Sequence, residues 1–141
     1  MSEQNKAIAL RFLEAMGSND PDGAAATLAP GAVTVTMGTG RFSGTRDAAT
    51  VLGAIESFKT LMPSGLRMAP KTITAEGDRV VIEAAGNAET SAGTVYANNY
   101  VFAFTLADGK ITHINEYFCT RLADEVLWPL AQEMQALAIA R

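Results

Sequence analysis

The sequence predicts an α+β fold, in which helices come first, an antiparallel sheet follows and a helix ends the chain. Apolar residues recur at helical spacing in the N-terminal part, whereas from Leu66 to Phe118 β-branched and aromatic residues alternate with polar ones. The last two β-rich segments are joined by Asp108-Gly109, a pair typical of hairpin turns. Because helices and strands are segregated along the chain, the pattern favours α+β over a parallel α/β sheet.

The N-terminal part is predicted to contain three helices and two short strands. Ser2 is suited to cap the first helix, which ends at Gly17–Asp20. Pro21 directly after Asp20 predicts a second helix over Pro21–Leu28, closed by Pro30-Gly31. The other elements expected here are strands at Val33–Met37 and Arg41–Ser43, and a third helix between Gly44–Asp47 and Pro63–Gly65.

The C-terminal part is predicted to be mostly sheet. The β-rich segments, separated by glycine-containing turns, are Leu66–Thr74, Arg79–Asn87, Thr94–Leu106 and Ile111–Phe118. From Arg121 the apolar residues return to helical spacing, so a C-terminal helix is expected. Pro129 is expected to kink or interrupt this helix unless it opens a new one, because proline lacks the N–H that a helix interior needs.

Length and composition narrow the classes of function. At 141 residues the chain fits a single domain, residues 1–141. The net charge of −4, with no basic cluster, argues against nucleic acid or an anionic membrane as a partner. One Cys and one His leave little material for a disulfide or a metal site, and neither a metal nor a cofactor is expected. The polar N-terminus and the short apolar runs favour a cytoplasmic protein.

Polar groups on the last strands suggest the floor of a cavity. Alternation puts Tyr96, Asn98 and Tyr100 on one face of their strand, where they would donate hydrogen bonds to a carbonyl or enolate. Glu116 and Glu83 belong to the corresponding sets of two other strands, although alternation alone does not tell which set points inward. Two carboxylates in one cavity would raise the pKa of at least one of them, which would make it a candidate general base or acid.

Simpler roles stay open for several of these residues. A glutamate on a sheet face is commonly solvated, and this applies to Glu83 and to Glu116. His113 lies on the face opposite Glu116 and suits a surface or interface position better than a catalytic one. Cys119 suits a small buried hydrophobe, since nothing near it in the sequence would activate its thiol. Lys59 lies near the apolar stripe of the third helix and suits a surface lysine.

Four segments carry a family resemblance: Phe42–Gly44 ahead of a helix, Gly77–Val80, Gly93–Phe102 and Asp108–Tyr117. On these residues the chain resembles the nuclear transport factor 2-like superfamily, in its SnoaL-like and ketosteroid-isomerase-related branch. The resemblance implies a cone-shaped, curved antiparallel sheet of about five to six strands, wrapped around a deep pocket that the N-terminal helices close. It also implies a homodimer through the convex sheet face, formed by Asn99, Val101, His113, Asn115 and Tyr117.

The chain is also distantly similar to limonene epoxide hydrolase. An ungapped comparison places Glu116 at the position of that enzyme's water-activating Asp. Glu83 and Ala85 stand where it has an Arg and an acid Asp, while Thr34 and Thr36 stand near its water-holding Tyr and Asn. Since the acid and the Arg are replaced, epoxide hydrolysis is disfavoured. Ketosteroid isomerisation is disfavoured too, because the Asp base of that enzyme has no counterpart.

Three functions follow from these observations. The first is a cofactor-independent acid/base enzyme (isomerase, cyclase or hydrolase type) acting on a small hydrophobic or polyketide-like molecule, with Glu116 as base and Glu83 beside it. The second is a binding protein for a small hydrophobic molecule, and the third is a dimeric scaffold with a residual pocket. Convergence of the two carboxylates within about 6 Å would favour acid–base chemistry, whereas one neutral, mobile or solvent-facing Glu would favour binding. The residues expected to contact a ligand are Asn98, Tyr100, Tyr96, Thr34, Thr36, Ala85, Ile55, Phe58 and Phe118.

Overall fold

The computed structural model describes the backbone of residues 2–140 and the side chains of residues 2–134. The described chain forms five helices and six strands. In chain order they are α1 Ser2–Gly17, α2 Pro21–Ala25, β1 Leu28–Thr36, β2 Gly44–Asp47, α3 Ala48–Leu61, β3 Arg67–Glu76, β4 Arg79–Glu89, β5 Val95–Ala107, β6 Lys110–Phe118, α4 Thr120–Val126 and α5 Trp128–Ala140. The predicted α+β class is confirmed.

The strands form one curved, unclosed sheet in the order β2–β1–β6–β5–β4–β3. Neighbouring strands run antiparallel except β1 and β6, which are parallel. The prediction of an antiparallel sheet therefore needs correction at this pair. A parallel pair cannot be joined by a tight hairpin, and here residues 37–109 separate β1 from β6 in the sequence.

The second helix is shorter than predicted, and the strand after it is longer. Asp20 caps α2 by accepting a hydrogen bond from Gly23 N at 3.0 Å, as its position before Pro21 suggests. The helix nevertheless ends at Ala25, because Leu28 already pairs with Ile111 of β6. The predicted boundary at Leu28 is therefore wrong. Pro30-Gly31 lies within β1, at the point where the register with β6 shifts. Proline suits this irregular position because it has no N–H to donate to the neighbouring strand.

The strand predicted at Arg41–Ser43 is wrong as well, since these residues form a turn. The N–H of Ser43 bonds to the carbonyl of Gly40 at 3.1 Å, and β2 begins one residue later. Asp47 then ends β2 and caps α3, accepting a hydrogen bond from Thr50 N at 2.9 Å. A segment predicted to lead into a helix thus supplies the edge strand of the sheet.

Helices α1 and α3 pack on one face of the sheet, the inner face, which carries Val80, Ile82, Phe102, Phe104 and Ile114. Burying each of these apolar side chains stabilises the fold by about 1.5–3 kcal/mol. The opposite, outer face carries the alternate residues of the same strands, among them Glu83, Val101 and Tyr117.

The C-terminal segment is two helices rather than one kinked helix. Pro129 is the second residue of α5, where its missing N–H would have no intrahelical partner in any case. It therefore opens a new helix. The ring of Trp128 packs edge-on against Phe42 of the β1–β2 connection, with ring centroids 5.5 Å apart, so α5 is held beside that connection.

Within residues 2–140, no helix has both the length and the apolar character needed to cross a bilayer.

Candidate functional site

A cavity of about 210 Å³ lies between the inner face of the sheet and the helices. Its walls are mostly apolar, with Phe12 and Met16 from α1, Ile55 and Phe58 from α3 and Leu127 from the C-terminal segment among them. The polar side chains in the lining are Thr34, Thr36, Arg46, Ser57, Tyr96, Tyr100 and Glu116. A mostly apolar cavity with a few convergent polar groups is the usual form of a small-molecule site.

The polar residues form a stripe across four neighbouring strands. Arg46 lies on β2, Thr36 on β1, Glu116 on β6 and Tyr100 on β5. Thr36 is in register with Glu116, and Glu116 is in register with Phe102, two residues from Tyr100. Because residues in register share a face of the sheet, strand pairing alone brings these groups to one side of the cavity.

Glu116 has a hydrogen-bond partner but no direct ionic one among the described side chains. Its Oε1 accepts a hydrogen bond from Thr36 Oγ1 at 3.0 Å, and that same hydroxyl accepts one from Arg46 Nη1 at 3.2 Å. Burial raises the pKa of Glu116 above its ordinary value of 4.5, while the Thr36 hydrogen bond and the Arg46 charge act in the opposite direction. The residue keeps some exposed surface because it forms part of the cavity wall, yet protein replaces most of its water.

Tyr96 and Tyr100 form a second polar group in the cavity. Their hydroxyl oxygens are 2.8 Å apart, so one phenol donates to the other. Tyr96 OH also accepts a hydrogen bond from Asn98 Nδ2 at 2.9 Å. Burial is the main cause that raises the pKa of both phenols, and the charge of Glu116 adds to it. Since two hydroxyls share one mutual hydrogen bond, one phenolic proton stays available to a ligand.

Asn98 is a structural residue rather than part of the cavity wall. It is buried, and its Nδ2 donates to Tyr96 OH and to the carbonyl of Cys119 at 3.0 Å. Its Oδ1 accepts from Cys119 N at 3.2 Å and from Asn99 N at 2.9 Å. Both amide hydrogens are thus occupied, and the predicted donation from Asn98 to a ligand is wrong in this geometry.

Glu83 and Ala85 lie on the outer face, so their predicted place in the cavity is wrong. Ala84 pairs with Tyr100 on the inner face, which turns Glu83 outward, where its carboxylate accepts a hydrogen bond from Thr72 Oγ1 at 2.6 Å. The physical reason is the cost of burying a carboxylate. The residues of β4 that alternate with Glu83 include Val80 and Ile82, and these apolar side chains are buried on the inner face instead.

The other residues expected to contact a ligand do line the cavity: Thr34, Thr36, Ile55, Phe58, Tyr96, Tyr100 and Phe118, together with Glu116. Their roles toward a ligand stay predictions.

The structure also shows the positions of three residues for which the sequence predicts non-catalytic roles. Cys119 is exposed, contrary to the expectation of a buried hydrophobe. Lys59 forms an exposed ion pair with Glu56 at 2.9 Å. His113 lies on the outer face, with its Nε2 2.8 Å from Asn115 Oδ1. Within the described part of the chain, no group of three or more His, Cys, Asp or Glu side chains is placed to hold a metal ion.

Residues 9–114 match the model of the SnoaL-like domain family, which is most of the chain. The chain belongs to the SnoaL-like family. No curated protein matches this SnoaL-like chain in sequence.

Solved structures support the same assignment at the level of the fold. An NTF2-like protein from Burkholderia xenovorans is 22% identical, with a TM-score of 0.72 over 89% of this chain and 97% of that one. A Jannaschia protein named as a SnoaL-like polyketide cyclase is 18% identical, with a TM-score of 0.74 over 89% and 92%. TerC, co-crystallized with polyporic acid, is 26% identical, with a TM-score of 0.73 over 87% and 97%. The resemblance to the nuclear transport factor 2-like superfamily is therefore confirmed.

Arg46 is a charged site residue of this SnoaL-like chain that sequence reasoning missed. The sequence places it in the segment that leads into α3, yet it lies on β2 opposite Thr34 and lines the cavity. The residue is far from Glu116 in sequence and reaches it through Thr36. A signal was present: Thr34 and Thr36 alternate on β1, and an edge strand after the Gly38–Gly44 turn would place Arg46 beside them.

Proposed function

We propose that this protein is a cofactor-independent acid–base enzyme that acts on a small, mostly apolar molecule with a carbonyl group, and that Glu116 is its base. One observation carries the proposal. The Glu116 carboxylate is held by Thr36 in an apolar cavity, where burial raises its pKa, beside two phenols with one proton to donate. A carboxylate whose pKa is raised toward the working pH is a better proton acceptor than one at its ordinary value.

The chemistry needs no group beyond these residues. The Glu116 carboxylate takes a proton from the carbon next to the carbonyl, and the electron pair of the broken C–H bond moves onto the carbonyl oxygen. The resulting enolate oxygen accepts the free phenolic proton of the Tyr96–Tyr100 pair as a hydrogen bond. Protonated Glu116 then returns this proton to another carbon, which isomerises the substrate, or first exchanges it with solvent and returns a solvent proton to the same carbon, which exchanges the substrate hydrogen. Either path restores the carboxylate.

Binding without chemistry is the second candidate, and the position of Glu83 favours it. The two carboxylates do not converge, because Glu83 lies on the outer face, so the two-carboxylate arrangement expected for acid–base work is absent from the described cavity. Glu116 is nevertheless held by a hydrogen bond from Thr36 and forms part of the cavity wall. Because the Thr36–Arg46 pair takes the place of a second carboxylate beside Glu116, acid–base chemistry is favoured over binding alone.

The relatives support a polyketide-like ligand class within this proposal. One protein of the same fold is named as a polyketide cyclase, and TerC was crystallised with polyporic acid. A cytoplasmic setting also belongs to the proposal, because the thiol of Cys119 is exposed and free and therefore suits a reducing compartment.

Hydrogen–deuterium exchange at the carbon next to a carbonyl tests the enzyme proposal directly. The wild-type chain is incubated in D2O with a panel of small cyclic and aromatic ketones, and the loss of the α-proton signal is followed by NMR. For a ketone that the wild type exchanges, Glu116→Gln should slow the exchange by about 10²–10⁴-fold, the usual contribution of a general base.

Glu83→Gln is the matched control, since it removes a carboxylate from the outer face and should leave the exchange rate unchanged. Urea unfolding of both variants separates lost catalysis from lost structure. Exchange that is equally fast in Glu116→Gln would exclude Glu116 as the base. Ketones that bind in the cavity without any exchange would favour the binding protein instead.

A further inference from the structure

Arg46 places a positive charge in the wall of a mostly apolar cavity. It lies on the edge strand β2, and its guanidinium is held by backbone and hydroxyl oxygens rather than by a carboxylate. Nη2 donates to the carbonyl of Phe42 and Nη1 donates to Thr36 Oγ1 at 3.2 Å. Nη1 also lies 3.5 Å from the carbonyl of Gly44, at the limit of a hydrogen bond. These contacts fix the position of the guanidinium without neutralising its charge.

Arg46 forms no salt bridge with any side chain among residues 2–134. In the ion pairs of that region, Lys6–Glu3, Lys59–Glu56 and Arg121–Glu125, both partners belong to one helix and lie largely outside the core. Arg46 instead reaches the nearest cavity carboxylate, Glu116, only through the Thr36 hydroxyl. A guanidinium carries five N–H donors, so at least Nε–H and one Nη2–H remain unused by the described contacts.

A partly buried, unpaired cation beside apolar walls is unfavourable by itself and becomes favourable when an anion occupies the cavity. Guanidinium groups bind planar oxyanions well, because two parallel N–H donors match the two oxygens of a carboxylate. The Nε–H and one Nη2–H of an arginine can form such a pair, and the described contacts leave Arg46 with its Nε–H and one Nη2–H.

The size of the cavity limits the apolar part of the ligand. An apolar cavity of about 150 Å³ holds a benzene molecule. A cavity of about 210 Å³, walled by aromatic and aliphatic side chains such as Phe12 and Phe58, therefore suits one ring with a short substituent.

We propose that Arg46 is the anion-binding residue of this cavity, and that its ligand is a small monocarboxylate whose apolar body is about the size of one ring. The proposal deepens the proposed function and rests on it in one respect, namely that this cavity is the ligand site. It does not require that any proton be transferred. The acid group of the ligand lies on Arg46, and the ring fills the apolar part of the cavity.

Phenylacetate and its neutral isostere phenylacetamide are the probes for this test, because they differ in charge and hardly in shape. Calorimetric titration of the wild-type chain should show that phenylacetate binds about tenfold more tightly than phenylacetamide, which corresponds to about 1.4 kcal/mol. Arg46→Gln should abolish this preference, and Arg46→Lys, which keeps the charge but not the fork, should retain part of it.

Arg41→Gln is the matched control. Arg41 precedes β2 and stacks on the ring of Trp128 at 5.8 Å rather than lining the cavity, so its loss should leave the preference intact. Circular dichroism of each variant checks the fold, since Arg46 also bonds to the Phe42 carbonyl.

The wild-type comparison needs no variant and can overturn the proposal by itself. Equal affinity for the acid and the amide, or binding of neither at millimolar concentration, would overturn it. A preference for the acid that survives in Arg46→Gln would also overturn the assignment to Arg46. The same titration in Glu116→Gln keeps this result separate from the proposed catalysis: the preference should persist there even where proton exchange is lost.

Discussion

Thr36 and Glu116 face each other across the parallel pair β1–β6, joined by a hydrogen bond of 3.0 Å from the Thr36 hydroxyl to the Glu116 carboxylate. Because the same hydroxyl accepts a hydrogen bond from Arg46, it connects a carboxylate to a guanidinium that do not touch. The arrangement leaves each charge with one side free toward the cavity. A proton acceptor and an anion-binding group can therefore act on different parts of one ligand.

The raised pKa of Glu116 makes the stability of the protein depend on pH with a defined sign. The folded state holds the Glu116 proton to higher pH than the unfolded state, whose pKa is near the ordinary 4.5. The contribution of this residue is therefore fully present below about pH 4.5 and is lost as the pH rises through the folded-state pKa. As the pH rises from acidic to mildly alkaline values, the wild type should lose stability relative to Glu116→Gln. Urea unfolding at a series of pH values measures this difference.

Glu83→Gln controls for the loss of one negative charge from the whole molecule, since Glu83 lies on the outer face. The difference in stability between Glu83→Gln and the wild type should not show the pH dependence expected for Glu116→Gln. The raised pKa would be contradicted if the stability of the wild type relative to Glu116→Gln stayed constant or increased as the pH rises.

Thr36→Val removes the hydrogen bond that favours the ionised form of Glu116 while keeping the shape of the side chain. The pKa of Glu116 should rise further, because burial would then be opposed by the Arg46 charge alone. At neutral pH the loss should cost roughly 1.5 kcal/mol of stability, as for other hydrogen bonds to a charged group. The titration midpoint of the Glu116 carboxyl carbon, followed by NMR, reports the pKa.

Thr34→Val is the control for this variant, since Thr34 lies two residues earlier on β1 and lines the same cavity. It should leave the midpoint in place. An unchanged midpoint in Thr36→Val would mean that the hydroxyl does not act on the charge of Glu116, and the proposed link to Arg46 would fail with it.

The predicted hairpin β5–β6 shows what local pattern can establish. Asp108 and Gly109 adopt positive φ angles of 52° and 75°, the backbone that a tight hairpin turn needs and that this residue pair tolerates. Strand alternation places Tyr96 and Tyr100 on one face of their strand, and the family resemblance implies that this face and Glu116 look inward; all three side chains line the cavity. The turn and the alternation depend on neighbours in sequence, and they could be predicted.

The position of Glu83 and the role of Arg46 depend on distant contacts and were not predicted. Alternation on β4 separates two sets of residues, but only the weighing of Val80 and Ile82 against a carboxylate decides which set is buried. Arg46 enters the site because β2 pairs with β1 and β1 pairs with β6, and Thr36 and Glu116 are 80 residues apart in the sequence. The β1–β6 pairing has no local signature.

The outer face of the sheet is the expected surface of a homodimer, as the family resemblance implies. It carries Asn99, Val101, His113, Asn115 and Tyr117. Val101 is in register with Tyr117, whose exposed fraction is 43%, so the two form an apolar patch. We propose that this patch is buried against a second copy of the chain. Tyr117→Glu should convert the dimer to a monomer, because a pair of buried, unpaired carboxylates would oppose association.

Light scattering coupled to gel filtration measures the mass of both proteins over a range of concentrations. Ala49→Glu adds the same charge on the exposed side of α3, away from the outer face, and should stay dimeric. A wild-type chain that is monomeric at every concentration would refute the proposed interface, and so would a Tyr117→Glu variant that keeps the dimer mass.

The Tyr100 ring packs directly against Gly86 on β4, in space that a side chain at this position would occupy. A Cβ at this position would lie 2.9 Å from Tyr100 Cε1 and 3.1 Å from Leu66 Cδ1, closer than packed carbon atoms approach each other. Gly86→Ala should therefore push the Tyr100 ring toward the cavity and lose about 1–3 kcal/mol of stability, the usual cost of overpacking. Since Tyr100 shares its hydrogen bond with Tyr96, ligand binding should weaken as well.

Gly53→Ala is the matched control for Gly86→Ala, because a Cβ at Gly53 in α3 meets no atom within 4 Å. Alanine in a helix is favoured over glycine, so this variant should gain about 0.5–1 kcal/mol while ligand binding stays unchanged. Urea unfolding gives both stabilities, and titration with phenylacetate gives both affinities. If Gly86→Ala were as stable as the wild type and bound the probe equally well, the Tyr100 ring would have room to move without loss. Its present position would then not matter to the site.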